Sequence, residues 1–322
     1  MKSFVINPND AGQRLDKYIA KSVPALPAAL MYRYIRTKRI KVNGKKAGIA
    51  LKLLPNDLVE MYIGDEFFTP VDSRYDFMTA STKLDIVYED DNILLLNKTA
   101  GLLAHPDKTE YNDTLITRVL RYLYENGSYD PADENSFTPA LVNRIDRNTA
   151  GLVIAAKNAE TLRILNDKMK QREIRKFYLC VIHGKPAQNS GLLEGWLSKD
   201  EASNKVKVFA VQKPGSKEIK TKYRVIASED GLSLLEVELL TGRTHQIRAH
   251  FAFIGHPLLG DGKYGKAPKD TLPGYKKQFL CSFKLIFDFK SDAGRLNYLN
   301  GRVFEIKDVW FAEDFPRKIT QR

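Results

Sequence analysis

The chain has 322 residues, 43% of them hydrophobic and 28% charged, a composition that folds into globular domains rather than staying disordered. It has no uncharged apolar run near the ~18 residues of a bilayer span and no apolar stretch behind its first residues of the kind a secretory signal carries. Its two cysteines, Cys180 and Cys281, are too few for a disulfide framework and fit a reducing cytoplasm. Lysine and arginine outnumber aspartate and glutamate by 51 to 39, and this excess of +12 favours a polyanionic partner.

The excess is not spread evenly. Residues 1–66 hold 12 Lys/Arg and 6 Asp/Glu, so the first fifth of the chain carries half of it. Leu15, Tyr18 and Ile19 stand at i, i+3, i+4 and predict a first short helix; Leu30, Tyr34 and Ile35 predict a second. The second helix turns Arg33 and Arg36 outward. IKVNGKKA then alternates and turns at Asn43-Gly44, a hairpin signal. Lys38, Arg39, Lys41, Lys45 and Lys46 complete a stretch from Met31 to Lys46 that contains no acid. Two small helices feeding a basic hairpin predict a platform for RNA phosphates. The order RLDKYI…YIRTKRIKVNGKK…LLPNDLVEMYI resembles the S4 RNA-binding domain over about 50 residues. Lys38 stands where that domain usually has glycine.

Residues 67–84 show no clean period and read as a linker. From 85 to 322, strand-like LDIVY, NILLLNK, LVIAAK, FYLCVI, TKYRVIA and LSLLEVELL mix with helical TLITRVLRYLYEN and AETLRILNDKMKQ. The alternation is too irregular for a doubly wound parallel sheet. The expected fold is α+β: a small S4-like domain (1–66), then a larger domain (85–322) on a mixed, largely antiparallel sheet.

Three segments of the larger domain carry candidate chemistry. In LVNRIDRNTAGLVIAAK (Leu141–Lys157) a polar turn separates two strand ends and presents Asp146 between Arg144 and Arg147. A nearby cation favours the ionised carboxylate that a nucleophile needs; a surface turn whose Asp bonds its own backbone is the competing reading. In RKFYLCVIHG, Tyr178 lies in an apolar strand, where a tyrosine is ordinarily core. In LLTGRTHQIRAHFAFIGHPLLGDGKYG, Thr244 is the expected N-cap and Gly255 the stop of a helix that buries Ile247, Phe251 and Ile254. That helix mounts Arg248 to reach a carboxylate, and Arg243 with the helix start is suited to a phosphate. His245, His250 and His256 are spaced i+5 and i+6, without the i+4 pair and Glu of a metalloprotease helix, so no metal is expected. GDGKYG matches neither common phosphate-loop pattern and reads as a turn.

Together these segments resemble the RluA-type pseudouridine synthases. LNKTAGLLAHP resembles their first motif, NRIDRNTAGLVIAAK their central motif and RKFYLCVIHG their K-x-Y strand. LLTGRTHQIRAHFAFIGHPLLGDGKYG matches their third motif almost residue for residue. The matches keep their order over some 170 residues, and a leading S4 domain is a feature of the RluC and RluD branch. Asn143 replaces the usual His, Ala150 a Ser and Thr99 a Pro; none removes a charged group. The resemblance implies an isomerase that needs no cofactor and no metal. It implies Asp146 as the catalytic carboxylate at ribose C1′, Tyr178 stacked on the base and a candidate proton acceptor, and Arg248 paired with the aspartate. Arg144 would enter the RNA as the uridine leaves the stack, and Arg147, Arg243, His245 and Gln246 would be supporting RNA contacts. The partner implied is structured RNA, 23S (large-subunit) ribosomal RNA first and transfer RNA second, with no membrane and a monomeric protein. A non-catalytic RNA-binding or assembly factor of the same fold is the alternative.

Overall fold

The computed structural model describes residues 1–68, 71–200, 205–265, 277–313 and 315. The basic N-terminal segment closes around a core of its own. β1 (Lys2–Val5), α1 (Leu15–Ser22), α2 (Ala28–Arg36), β2 (Ile40–Val42), β3 (Lys45–Lys46) and β4 (Leu58–Met61) include an antiparallel sheet in the order β1-β4-β2-β3. Leu15, Tyr18 and Ile19 are fully buried, as their spacing predicts, and share one cluster with Ile35, Ile40 and Val59. α2 buries Met31 and Ile35, while Leu30 and Tyr34 are only half-covered; Arg33 and Arg36 stay exposed.

Asn43 and Gly44 both take positive φ, 52° and 71°, the two-residue turn whose twist suits a tight hairpin. Lys38 is left-handed too, φ 63°. It closes α2: its N–H donates to Ile35 O and the Arg39 N–H to Tyr34 O, the paired bonds of a helix stop that usually employs glycine. A lysine there costs about 1 kcal/mol and places one more cation on the surface.

In the segment expected as a linker, residues 69 and 70 lie outside the described ones. Val71–Thr79 is a 3₁₀ helix. Phe77 is buried and, with Tyr75 and Met78, packs into the larger domain's core. A period of three with aromatics at 75 and 77 matches neither the helical nor the strand spacing sought in the sequence.

The larger domain contains β5 (Ile86–Glu89), β6 (Ile93–Lys98), α3 (Leu115–Glu125), β7 (Ala140–Leu141), β8 (Ala150–Ala156), α4 (Ala159–Lys170), β9 (Ile174–His183), β10 (Ser190–Asp200), β11 (Lys205–Phe209), β12 (Lys217–Glu229), β13 (Leu232–Leu239), α5 (Gln246–Phe253), β14 (Leu280–Phe287) and β15 (Val303–Glu305). One sheet runs β11-β10-β12-β13-β9-β14-β8-β6-β5, with β15 on β14 and β7 on β8. β14–β8 is a parallel pair and the other pairings are antiparallel, so the expected α+β class with a mixed, largely antiparallel sheet is found.

The central strands read as unbroken apolar runs because both faces are covered. Leu94 and Leu96 of β6, Val153 of β8 and Tyr178 and Cys180 of β9 face α3 and α5. Ile93, Leu95, Leu152 and Ile154 face α4 and the 3₁₀ turn Gly294–Leu299. Gly151 is required where β8 crosses β14: at φ 115° a Cβ would lie 2.2 Å from Ser282 O. Cys180 and Cys281 are buried thiols. No described helix is long and apolar enough to cross a membrane.

Candidate active site

The turn between β7 and β8, the start of α5 and the middle of β9 converge on a cleft of about 770 Å³. Asp146 comes from the turn, Tyr178 from β9 and Arg248 from the first turn of α5. Asn143, which stands in place of a His in the motif it resembles, pins the turn: its Oδ1 accepts from the Ile154 N–H at 2.8 Å and its Nδ2 donates to Leu152 O. Lys98, at the end of β6, holds the turn from the other side. Its buried ammonium donates to Thr99 O, Leu102 O and Arg147 O at 2.7–3.0 Å. Burial pulls its pKa down to about 7, the Asp146 charge acting against that shift.

Arg248 is the centre of the charge arrangement. Its Nε and Nη2 donate to both oxygens of Asp261 at 2.7 and 2.9 Å, and its Nη1 donates to Asp146 Oδ2 at 2.9 Å. The fork to Asp261 fixes the guanidinium plane, so the third nitrogen reaches Asp146 in one geometry. Asp261 has a fully buried side chain. Burial pushes its carboxyl up, but the hydrogen bond and charge of Arg248 outweigh that and hold it below the usual range. Gly260 permits the turn that delivers it, since at φ 73° a Cβ would lie 2.4 Å from Lys277 O.

The side chain of Asp146 is 26% exposed, and its Oδ1 has no hydrogen bond among the described residues. The ion pair with Arg248 fits the reading of a positioned carboxylate over that of a surface turn residue bonding its own backbone. His245 Nε2 lies 3.8 Å from Asp146 Oδ2. Burial lowers the His245 pKa to about 4, so the ring is neutral near pH 7. The Tyr264 hydroxyl accepts from the Val206 N–H and lies 2.9 Å from His245 Nδ1. Tyr178 is buried, which pushes its pKa up to about 12; the ring is a neutral phenol.

One expectation needs correction, and the other candidate residues can be placed. The residue before α5 is His245, left-handed at φ 52°, and not Thr244. Gln246 is 2% exposed, and both ends of its amide are engaged: Oε1 accepts from Thr241 Oγ1 and the Arg243 N–H, while Nε2 donates to Lys220 O and Thr221 Oγ1. It braces the loop before α5 while lining the cleft. Arg147 directs its Nε to Gly101 O, 3.1 Å away, and is not among the cleft-lining residues, whereas Arg144 and Arg243 line it. Gly255 does stop α5, in the left-handed conformation, with the His256 N–H returning to Phe251 O. His250 bonds Thr221 Oγ1 and His256 bonds His183 O, so these two histidines are structural.

Three contributors escaped the sequence reading. Asp261 was hidden in what looks like a turn. Lys98 lies in a motif matched as a string, without a role for its ammonium. Lys176 lines the cleft half-buried, and burial, with the nearby Arg172 charge, lowers its pKa. The available signal was a charged residue inside an otherwise apolar run, as in ILLLNK and HPLLGD. On the N-terminal domain Arg33, Arg36, Lys38, Arg39, Lys45 and Lys46 are exposed and Lys41 partly so. Arg39 lies over the Tyr34 ring and Lys41 over Tyr62.

A family model described as RNA pseudouridylate synthase matches residues 92–253, just over half of the chain, and one described as S4 domain matches residues 13–59. The chain belongs to the RNA pseudouridylate synthase family. The synthase is 34% identical, over 97% of its length and 99% of the relative's, to an uncharacterized RNA pseudouridine synthase of Mycoplasma capricolum. It is 35% identical, over 83% of its length and 86% of the relative's, to ribosomal large subunit pseudouridine synthase C of Rickettsia conorii. It is 30% identical, over 89% and 86%, to ribosomal large subunit pseudouridine synthase D of Borreliella burgdorferi. Among solved structures, human RNA pseudouridylate synthase domain containing 1 shares the fold at a TM-score of 0.52 and 22% identity, covering 66% of this chain and 82% of that one. The synthase is therefore an isomerase acting on RNA with an S4 domain at its N-terminus.

Proposed function

We propose that the synthase converts uridine to pseudouridine in large-subunit ribosomal RNA, with Asp146 as the catalytic carboxylate. The observation that carries this reading is the asymmetry of that carboxylate: Oδ2 is held by Arg248 at 2.9 Å while Oδ1, facing the cleft, has no hydrogen bond among the described residues. A group held at one oxygen and free at the other is positioned for ribose C1′, and positioning of this kind accounts for a large share of a rate enhancement. The C1′–N1 bond breaks, the uracil turns, and a C1′–C5 bond forms. The C5 proton leaves to solvent and N1 ends protonated, so atoms balance without redox or an external group.

The cleft serves each stage. Arg144, exposed at its rim, takes the space in the stack that the flipped nucleotide leaves; flipping costs a few kcal/mol and favours loops over perfect duplex. Tyr178, a neutral phenol, stacks on the base. Val142, Ile145, Ile247 and Leu280 form apolar walls that keep water from the detached uracil and so prevent hydrolysis to an abasic site. The names of the relatives support the ribosomal substrate.

The test is tritium release from RNA labelled at uridine C5, using ribosomal RNA from a strain lacking this gene. Wild type is expected to release tritium and Asp146→Ala to release none while still binding RNA. Release by Asp146→Ala overturns the assignment of the carboxylate. Silence of wild type on ribosomal RNA but release from transfer RNA moves the substrate; silence on both favours a non-catalytic RNA-binding factor.

A further inference from the structure

The S4 domain meets the larger domain through a loop that its RNA-binding face does not use. Residues 7–13, NPNDAGQ, contain no cation, so their charge gives an RNA backbone nothing to hold. They face DENS, residues 133–136, and the start of α4. Asn7 Nδ2 donates to Asp133 O and to Glu134, and Asn9 Nδ2 donates to Glu134. Gln13 Nε2 donates to Ser136 Oγ at 2.8 Å. Asn135 Nδ2 donates to Val5 O and to Asp10 Oδ2, and Ser136 Oγ donates to Asp10 Oδ1. From α4, the Ala159 N–H donates to Asn9 Oδ1 and Arg163 Nη1 to Ala11 O, both at 3.1 Å. Asp10 is fully buried, and its carboxylate is satisfied across the boundary by a hydroxyl and an amide.

Both sides of this contact are anchored in their own domains. The Gly12 N–H donates to Leu53 O and the Ile6 N–H to Asp57 O within the S4 fold. On the other side Tyr129 and Phe137 are buried, and the Tyr75 hydroxyl donates to Asp130. The two receiving segments lie on either side of the Asp146 turn: Ser136 is ten residues before it and Ala159 thirteen after. Directional bonds from three separate chain segments define one register, and a buried polar set is better suited to specifying a geometry than to adding adhesion.

We infer that this contact is a latch that holds the S4 domain at one fixed distance and orientation from Asp146, and that it selects the target uridine by the spacing between a structured RNA element on the basic hairpin and the base in the cleft. The inference rests on the proposed function for its RNA readout but not for its structural one. With the domains fixed, the second RNA contact is intramolecular only for RNAs whose geometry matches, and a mismatched RNA gains nothing from it.

The test uses the full chain with spin labels at Leu54→Cys and Ile226→Cys, both exposed positions outside the residues that bond across the latch; Cys180 and Cys281 are buried and do not compete for label. The inter-label distance distribution is measured in wild type, in Glu134→Ala/Asn135→Ala, and in Asn9→Ala, which breaks the contact from the other domain. Wild type is expected to give one narrow distance and both variants a broad one, with the unfolding midpoint of the larger domain retained. On a long ribosomal RNA fragment kcat/KM falls about tenfold or more in the variants and neighbouring uridines become modified, while a short stem–loop is turned over as by wild type. A broad distribution in wild type, or narrow ones in both variants, overturns the latch whatever the RNA result. Equal losses on long and short RNA overturn its role in selection. A protein silent on every RNA but narrow in distance leaves the latch standing and removes the proposed function instead.

Discussion

The two basic regions of this molecule use charge in opposite ways. On the S4 domain seven cations stand on a surface where none of them makes an ion pair among the described residues, and several rest on tyrosine rings. In the cleft, Arg248 is 7% exposed and spends all of its fork on Asp261 and Asp146. Unpaired surface cations act at long range, are weakened by salt and tolerate misplacement. A buried, fully bonded guanidinium acts at one distance and tolerates none. The first arrangement suits affinity for a polyanion; the second suits a reaction.

The sharpest way to break the comparison is to keep shape and remove charge at the cleft. Asp146→Asn retains a group able to accept from Arg248 but has no anionic oxygen for C1′. Tritium release is expected to fall by at least about 10³, with RNA affinity within a few-fold of wild type by filter binding. A variant that keeps a tenth of its turnover would mean that geometry, not the carboxylate charge, is what Asp146 supplies.

Asp261→Asn asks the same question one atom further back. It leaves Arg248 buried with half of its clamp gone, and breaking one partner of a buried pair costs about 3–5 kcal/mol. The freed guanidinium mispositions Asp146, for which a loss of about 10² in kcat is expected. Urea unfolding and single-turnover rates at saturating RNA measure the two effects separately. Unchanged stability with lost turnover would mean that the clamp serves the placement of Arg248 and Asp146 and not the fold.

The same contrast explains what could be read from the chain. The exposed cations of Met31–Lys46 announced themselves by composition and by interleaved apolar residues, because a surface patch is local in sequence. The Asp146–Arg248 pair joins residues 102 positions apart, and only the motif resemblance brought them together. Asp261 was read as a turn residue because nothing local shows that Leu258, Leu259 and Phe279 bury the loop around it. Gln246 enters as an RNA contact through the motif resemblance alone, which is silent on where its amide points. The backbone at His245 is left-handed, and the amide turns inward to Thr221. Lys38 lowered the S4 match as a letter, yet it occupies the left-handed helix stop that explains why glycine is usual there.

The buried histidines of the larger domain set a smaller, pH-dependent effect. Burial lowers the pKa values of His245 and His250 to about 4, below the ~6.5 of an unfolded chain. The unfolded state therefore binds more protons between these values. Stability is fully present above about pH 6.5, is lost as pH falls toward about 4, and levels off below, at no more than about 1.4 kcal/mol per pH unit for each ring. Unfolding free energies measured from pH 7 to pH 4 should show this slope, to which His105, its pKa also lowered by burial, adds in the same direction, and His245→Gln should reduce it. A variant with the full slope would place the acid sensitivity elsewhere. No such dependence is expected from the S4 domain, which contains no histidine.

The smallest effect is expected where charges are most numerous. Lys45 and Lys46 sit on β3, exposed and free of carboxylate partners among the described residues. If each meets one phosphate, Lys45→Ala/Lys46→Ala lowers the dependence of log Kd on log salt by about 1.4–1.8, roughly 0.7–0.9 per contact. The catalytic rate at saturating RNA is unchanged, because neither lysine touches the cleft. At low salt the loss of affinity is at its largest, and at high salt wild type and variant converge, since counterion release is what the two lysines supply. A variant with an unchanged salt slope but a lower saturating rate would show the hairpin acting on the reaction through the orientation of the RNA. The division between a surface that binds and a cleft that reacts would then be drawn in the wrong place.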